Sequence, residues 1–373
     1  MRSVLIFLPL LACSAKTLDS ADTSAVDSGP GDSGDAIPPG IQWFSGLIPM
    51  DLTPDGRTML AQDATSLAGD VLLVRTADGA STLATSLGDA SKDMATGISI
   101  DERFSALHGV PVEAGVWSAT AGWTDLPSPY ATDCDPDRGG AFDISDDGAV
   151  VVGLMWDGCA PVAFRWTEAG GVQPLELLGE PAPGSPSHPT NRATVVSGDG
   201  RWAAGFASSG SLDRTPALWG ADGVGELLDP EARDAPGEVL SISYDGGTQA
   251  GLRGNDGFVR TRDGGFVDLG RVDTALPSDP VYPNAMTADG QVVFGAVGSE
   301  FFGVPVAFVW TEGEGMQALQ PLVEAAGVPI EAGWTLTNVM AVSDDGRVLV
   351  GRGFDPDYAA QAFVLRLPDS VGF

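Results

Sequence analysis

One phrase governs what this chain can fold into. Near the C-terminus it reads AVSDDGRVLVG, Ala341 to Gly351, and close variants occur six more times upstream. Aligned on the aspartate of their Asp-Gly pair, the copies fall at Asp55, Asp101, Asp147, Asp199, Asp245, Asp289 and Asp345, with spacings of 46, 46, 52, 46, 44 and 56 residues. Glu102 breaks the pair in the second copy, and the first two copies lack the closing glycine. Asp-Gly between short β-branched runs is a hairpin signal, because glycine takes φ > 0 without steric cost. The Ser or Thr two residues before each Asp can hydrogen-bond into the turn.

A second phrase follows each first one. It reads AFRWTEAGGVQPL at Ala163, ALWGADGVGELL at Ala217, FVRTRDGGFVDLG at Phe258 and AFVWTEGEGMQAL at Ala307, with worn versions at Leu72 and Gly115. Each is a strand, a glycine-bearing turn and another strand. One unit is therefore four short strands, and the pattern calls for no helices. Four-stranded units at this period predict an all-β, seven-bladed β-propeller of antiparallel blades spanning residues 41–373. A β-solenoid or a pair of sandwiches is the competing arrangement. The last unit has three strands and ends after QAFVLRL, Gln361 to Leu367, while a spare apolar piece, IQWFSGL, precedes the first. Pairing that N-terminal piece with the last blade closes the ring and removes its free edges.

Ser-x-Asp-Gly-x-x-x-x-Gly followed by Ala-Phe-x-Trp-Thr and Gly-Met-x-x-Leu resembles the HAF-type extracellular repeats of bacteria. The matching residues are Ala163 to Thr167, Ala307 to Thr311 and Gly315 to Leu319. Where that family usually has Ile-Asn this chain has Ser-x-Asp, and Thr53-Pro54-Asp55-Gly56 looks like the Ser-Pro-Asp-Gly of other propeller repeats. The resemblance implies export and a propeller-like fold. It brings no reaction and no catalytic residues.

The first residues, MRSVLIFLPLLACS, have the size of a signal-peptide core, too short to span a bilayer. Leu10-Leu11-Ala12-Cys13 resembles the bacterial lipobox, which implies cleavage after residue 12 and lipid attachment at Cys13. An ordinary secretory signal is the alternative. Residues 13–40 are a Ser/Asp/Gly/Pro stretch with almost nothing to bury, read as a disordered tether. Export with anchoring to a bacterial outer membrane or cell surface follows as the expectation, the periplasmic face included.

The formal net charge is -32, from 19 basic and 51 acidic residues. Such a chain is a poor partner for nucleic acid, whose binding rests on Lys and Arg at phosphates. Apart from Cys13, the cysteines are Cys134 and Cys159. An even remainder in an exported chain predicts a disulfide, and a hairpin folded at Asp147-Gly148 brings the two near each other.

Strand order places the first and third turns of every unit on one rim and the second turns and crossings on the other. The first and third turns are uniform; the length variation falls on the opposite rim. Recognition is expected at those variable loops. Their aromatics are Tyr130, Trp156, Phe301, Phe302 and Tyr358. Asp133, Asp135 and Asp137 alternate as in many Ca²⁺ loops, though the glycine comes one place late and no Glu stands twelfth, so a solvated acidic loop is the plainer reading. Asp355 and Asp357 are a weaker echo. Trp166, Trp219 and Trp310 recur at one repeat position and read as core, and the repeated Asp of the turns reads as structural.

His108 and His188 are the only histidines, and no nucleophile elbow, phosphate loop or dinucleotide fingerprint stands in context. No catalytic residue is named and no cofactor is required, Ca²⁺ being the one candidate ion. The expected function is that of a non-enzymatic, monomeric binding or scaffold module for an extracytoplasmic protein or polysaccharide, working through its loop face. Two alternatives stand beside it: a glycan-acting enzyme with carboxylates at the central channel, and a surface structural or adhesion component.

Overall fold

The computed structural model describes residues 38–371, apart from residues 66–69, 77–80, 83–93, 109–112, 130–138, 158–159, 181–188, 213, 232–234, 301–302 and 370. The leader, Cys13, Cys134, Cys159, Tyr130, Asp133, Asp135, Asp137, Phe301 and Phe302 lie outside the described residues.

Each repeat folds as expected into a four-stranded antiparallel sheet, and the seven sheets form a seven-bladed β-propeller. Blade 3 is representative, with strands Gly139–Ile144, Val150–Asp157, Ala160–Thr167 and Gly171–Pro174, counted from the channel outward. In blade 7 the order is Thr335–Val342, Val348–Phe354, Ala360–Arg366 and then Gly40–Ser45. The outermost strand of the last blade thus comes from the N-terminal end of the domain. Gln42 lies opposite Val364 and Trp43 opposite Phe363. Gly46, at φ 73°, turns the chain between this strand and Leu47–Leu52, the inner strand of blade 1.

A period-2 strand sends alternate side chains to opposite faces, and here each face meets a different neighbour. In blade 1, Met59, Ala61, Leu72 and Val74 join Val348, Val350 and Val364 of blade 7. Leu60, Val71 and Leu73 join Ile98 and Phe104 of blade 2. The same division recurs around the ring, so the core is seven apolar clusters, each shared by two adjacent blades. Trp219 and Trp310 are buried in this way, and Trp166 packs half-buried on the cluster between blades 2 and 3.

The closing glycine of the motif has a packing cause. Every described inner strand carries a register shift of the bulge kind, for example between Ala141 and Asp143. The bulge pushes a carbonyl toward the second strand. A Cβ at Gly153, Gly205, Gly251, Gly295 or Gly351 would collide with the carbonyl oxygen of Gly140, Arg192, Glu238, Tyr282 or Asn338 respectively. Blades 1 and 2 have Ala61 and Ala106 at this place.

One feature departs from the all-strand pattern. The crossing from blade 6 to blade 7 contains a short helix, Leu319–Ala325, with Leu319 and Val323 buried in the cluster between those blades. Leu319, Leu322 and Val323 recur at i, i+3 and i+4, one apolar stripe of a helix. Among the described residues no helix is long and apolar enough to cross a membrane.

Two outcomes test this architecture. Trp43 packs on Trp334 and Phe363 with centroids 4.6 and 5.7 Å away. Trp43→Ala should lower stability by roughly 3 kcal/mol in urea melts, because the ring closure loses its largest side chain. Gly295→Ala should cost roughly 1–3 kcal/mol through overpacking, against a much smaller effect of Ala61→Gly in blade 1.

Candidate functional site

The repeated turn is a closed local network. In blade 3 the Ser145 hydroxyl donates to Asp147 Oδ1 (2.7 Å), the Ala149 N–H donates to the same oxygen (2.9 Å), and the Val150 N–H donates to Ser145 Oγ (3.0 Å). The hydroxyl-to-carboxylate bond recurs from Thr53, Ser99, Ser197, Ser243, Thr287 and Ser343. The glycine sits at φ 68–74° in the six Asp-Gly copies. Glu102 adopts φ 62° in its place and uses its side chain, accepting from Thr58 Oγ1 (2.9 Å) and pairing with Arg75 of blade 1. At Asp245, the Gly247 N–H and the Ser243 hydroxyl keep the carboxyl below its ordinary range.

The residue between Ser/Thr and Asp has a different task. Around the ring these positions are Pro54, Ile100, Asp146, Gly198, Tyr244, Ala288 and Asp344. Their backbones form a belt from blade to blade. The Ile100 N–H donates to Asp146 O (2.8 Å), Asp146 to Gly198 O (3.1 Å), Asp199 to Tyr244 O (3.0 Å), Tyr244 to Ala288 O (2.9 Å), Ala288 to Asp344 O (3.2 Å) and Asp344 to Pro54 O (2.9 Å). The remaining link, from blade 1 to blade 2, cannot form because Pro54 has no N–H.

Inside this belt the channel opens as a cavity of about 750 Å³, lined by Pro54, Ile100, Asp146, Tyr244, Arg201 and Asp344 together with the turn aspartates Asp55, Asp147, Asp199 and Asp345. Ile100 and Tyr244 are each 47% exposed, large apolar surfaces left open at its rim. Burial pushes the Asp146 carboxyl up to about 7, helped by the negative charges of Asp344, Asp147 and Asp199. Asp344 is raised by burial and by Asp345 and Asp55. Adjacent aspartates in one Asp-Asp-Gly thus differ in kind. The second closes a turn; the first faces a shared acidic space.

Two further carboxyls lie on the inner strands nearby, two residues before the turn. Asp51 Oδ2 accepts from the Ile98 N–H of blade 2 (2.8 Å). Asp143 accepts from the Val196 N–H of blade 4 (2.7 Å) and from its own neighbour Ile144 (2.8 Å). Burial raises Asp51 to about 7, and raises Asp143 well above its ordinary value with Asp51 adding repulsion.

This cavity belongs to the uniform rim, opposite the rim of variable loops. Of the loop aromatics, Trp156 is half-buried at the end of the second strand of blade 3, opposite Pro161. Tyr358 is 75% exposed at φ 61°. It projects from a turn in which Asp355 Oδ1 accepts from the N–H groups of Asp357 and Ala359 (both 2.9 Å) and Oδ2 from Gln361 (3.0 Å). Asp355 therefore caps its own hairpin. Among the described residues no group of three His, Cys, Asp or Glu side chains could hold a metal ion. Nearer the loop rim, Glu238 is clasped by Arg192, Arg214 and the Thr194 hydroxyl, with Phe206 beneath both guanidinium groups.

Asp51, Asp143, Asp146, Tyr244 and Asp344 are absent from the sequence-level candidates. The signal for three of them was the variable residue inside an otherwise constant Ser-x-Asp. Periodicity marked the turn as scaffold and drew attention away from the one position in it that changes.

No protein-family model matches the chain, and no curated protein matches it. Solved structures do. Virginiamycin B lyase from Staphylococcus aureus is 14% identical with a TM-score of 0.55, over 88% of this chain and 99% of that one. Oligogalacturonate lyase from Vibrio parahaemolyticus is 12% identical with a TM-score of 0.55, over 89% and 92%. The β-propeller domain of Cps50 (Swd1) from Myceliophteria thermophila is 10% identical with a TM-score of 0.54, over 88% and 99%. At such identities the likeness is one of fold: this chain is a seven-bladed β-propeller.

Proposed function

We propose that this chain is an exported, lipid-anchored binding module that engages an extracytoplasmic protein by a basic segment, at the cavity of the uniform rim. The observation that carries this reading is the pairing of exposed Tyr244 and Ile100 with Asp146, Asp344 and four turn aspartates around one open space. A lysine or arginine side chain matches that combination, since it brings an apolar stem and a cationic head. Its head can lie over the Tyr244 ring while an aspartate neutralises it. The formal charge of -32 favours encounter with basic partners and opposes anions. An acidic mouth is unsuited to an anionic oligosaccharide such as the oligogalacturonate of the Vibrio enzyme's name. The export and anchoring parts of the proposal rest on the leader and Cys13.

A second reading is favoured by one specific feature. Asp146 is raised to about 7 with Asp344, itself raised, beside it, and a carboxyl that keeps its proton near pH 7 can donate it to a leaving group. A glycan-acting enzyme would use them so.

The readings part in a binding and turnover screen. Lys/Arg-rich peptides should bind the full chain and neutral peptides should not. Tyr244→Ala and the pair Asp146→Asn, Asp344→Asn should each weaken binding about tenfold or more, the loss of a desolvated ion pair or ring contact. Trp156→Ala should leave binding intact. Turnover of a polysaccharide, abolished by Asp146→Asn, would instead establish the enzyme. Loss of binding in Trp156→Ala alone would return recognition to the loop rim. For the anchor, Cys13→Ser should move the protein from the membrane fraction to the soluble one.

A further inference from the structure

Six seams between blades are bridged on the inner strands by side chains near the bulge, and these bridges are of two kinds. Three are neutral. The Thr96 hydroxyl donates to Ala141 O (3.0 Å) between blades 2 and 3, the Ser241 hydroxyl to Pro283 O (2.9 Å) between blades 5 and 6, and the Asn284 amide to Val339 O (3.2 Å) between blades 6 and 7. Between blades 4 and 5 the bridging carboxylate, Glu238, has two arginines. Asp51 and Asp143 bridge blades 1 to 2 and 3 to 4 by accepting backbone N–H groups alone. Both are partly buried, and they meet at Gly97-Ile98: a Cβ at Gly97 would come within 2.6 Å of Asp143 Oδ1, and the N–H of the next residue is the one that Asp51 accepts.

The charged groups around this pair leave it uncompensated. Asp146 stands nearest on the cavity side and adds negative charge to both. Beyond it Asp344, Asp147 and Asp199 add more. The cations of the adjoining turns are engaged elsewhere: Arg103 with Asp101, Arg75 with Glu102 and Arg201 with Asp199.

We propose that Asp51 and Asp143 form a proton-operated latch: protonated, they hold the seams between blades 1 and 2 and between blades 3 and 4 shut beside the cavity, and ionised, they loosen both seams. A neutral carboxyl keeps its carbonyl oxygen as acceptor for the Ile98 or Val196 N–H and takes no charge out of water. Ionisation of both places two carboxylates without a cation in one partly buried space, where repulsion and the need for water favour separation. The seam from blade 1 to blade 2 is also the one where Pro54 leaves the backbone belt unlinked. That the latch regulates ligand entry rests on the cavity being the binding site; the latch itself does not.

The sign follows from linkage. A carboxyl with a folded-state value raised to about 7 holds its proton in the native state at a pH where the unfolded chain has released it. Native stability therefore falls as pH rises from about 4 through about 7, then levels. Self-repulsion at high net charge has the same direction, so the comparison is with a variant.

Hydrogen exchange on the full chain, corrected for intrinsic rates, reads the latch at pH 5.5 and pH 8.5. Protection of the Ile98 and Val196 amides should fall about tenfold or more per pH unit of titration that they report, while the Tyr244 amide stays level. In the Asp51→Asn, Asp143→Asn double variant both amides should become pH-insensitive, and the decline of Tm with pH should flatten. A decline in protection at Ile98 and Val196 that persists in the double variant overturns the latch. Should the double variant not fold, carboxyl-carbon NMR of the wild type decides: ordinary titration of Asp51 and Asp143 below pH 5 is equally fatal. Lys-rich peptide binding measured alongside separates the two ideas. Binding unchanged across that pH range with no change in protection removes the latch and keeps the site; a pH-sensitive seam with no peptide binding does the reverse.

Discussion

A four-stranded blade is apolar on both faces, and alone it leaves one face, at the least, in water. Everything else in this molecule depends on the lateral packing that answers this. Leu60 serves blade 2 and Met59 serves blade 7 from adjacent positions on one strand. No blade has a core of its own. The ring must therefore close, and Gly40–Ser45 closes it by pairing with Ala360–Arg366, the two ends of the domain locking one sheet.

Packing wedges around an axis crowds their inner edges, and two sequence devices absorb the crowding. The bulge on each inner strand forces the second strand to approach a carbonyl, which is why a glycine recurs five residues beyond most Asp-Gly pairs. The Ser-x-Asp-Gly turn holds its own groups so fully that its intervening residue is left to make the belt between blades and to line the channel. A structural repeat thereby produces a functional candidate. The cavity is acidic because two of seven variable turn positions are aspartate, and it is amphipathic because two others are Ile100 and Tyr244.

The partly buried carboxyls of the inner strands follow the same logic. At the bulge, neighbouring inner strands stand close enough for a short side chain to span the seam, and Thr, Ser, Asn or Asp can each do so. Where the choice is Asp51 and Asp143, the bridge can carry charge in a place that disfavours it. The proton then becomes part of the packing, which ties the seam near the cavity to pH.

Much of the fold was legible in the sequence. The number of blades, the strands of each, the hydroxyl in each turn, the buried Trp219 and Trp310 and the closing strand all follow from period, alternation and turn chemistry, which are local. The helix at Leu319–Ala325 was missed because seven residues of apolar spacing are easily read as loop. The candidate site was scarcely legible. Asp146 and Asp344 lie 198 positions apart, and nothing local distinguishes them from the turn aspartates beside them. Only closure of the ring brings blades 1 to 5 and 7 to one opening, and only that convergence raises the carboxyls of Asp146 and Asp344. Local bonding rules decide a repeat; burial and the charge of distant neighbours decide a site, and those exist only once the circle is complete.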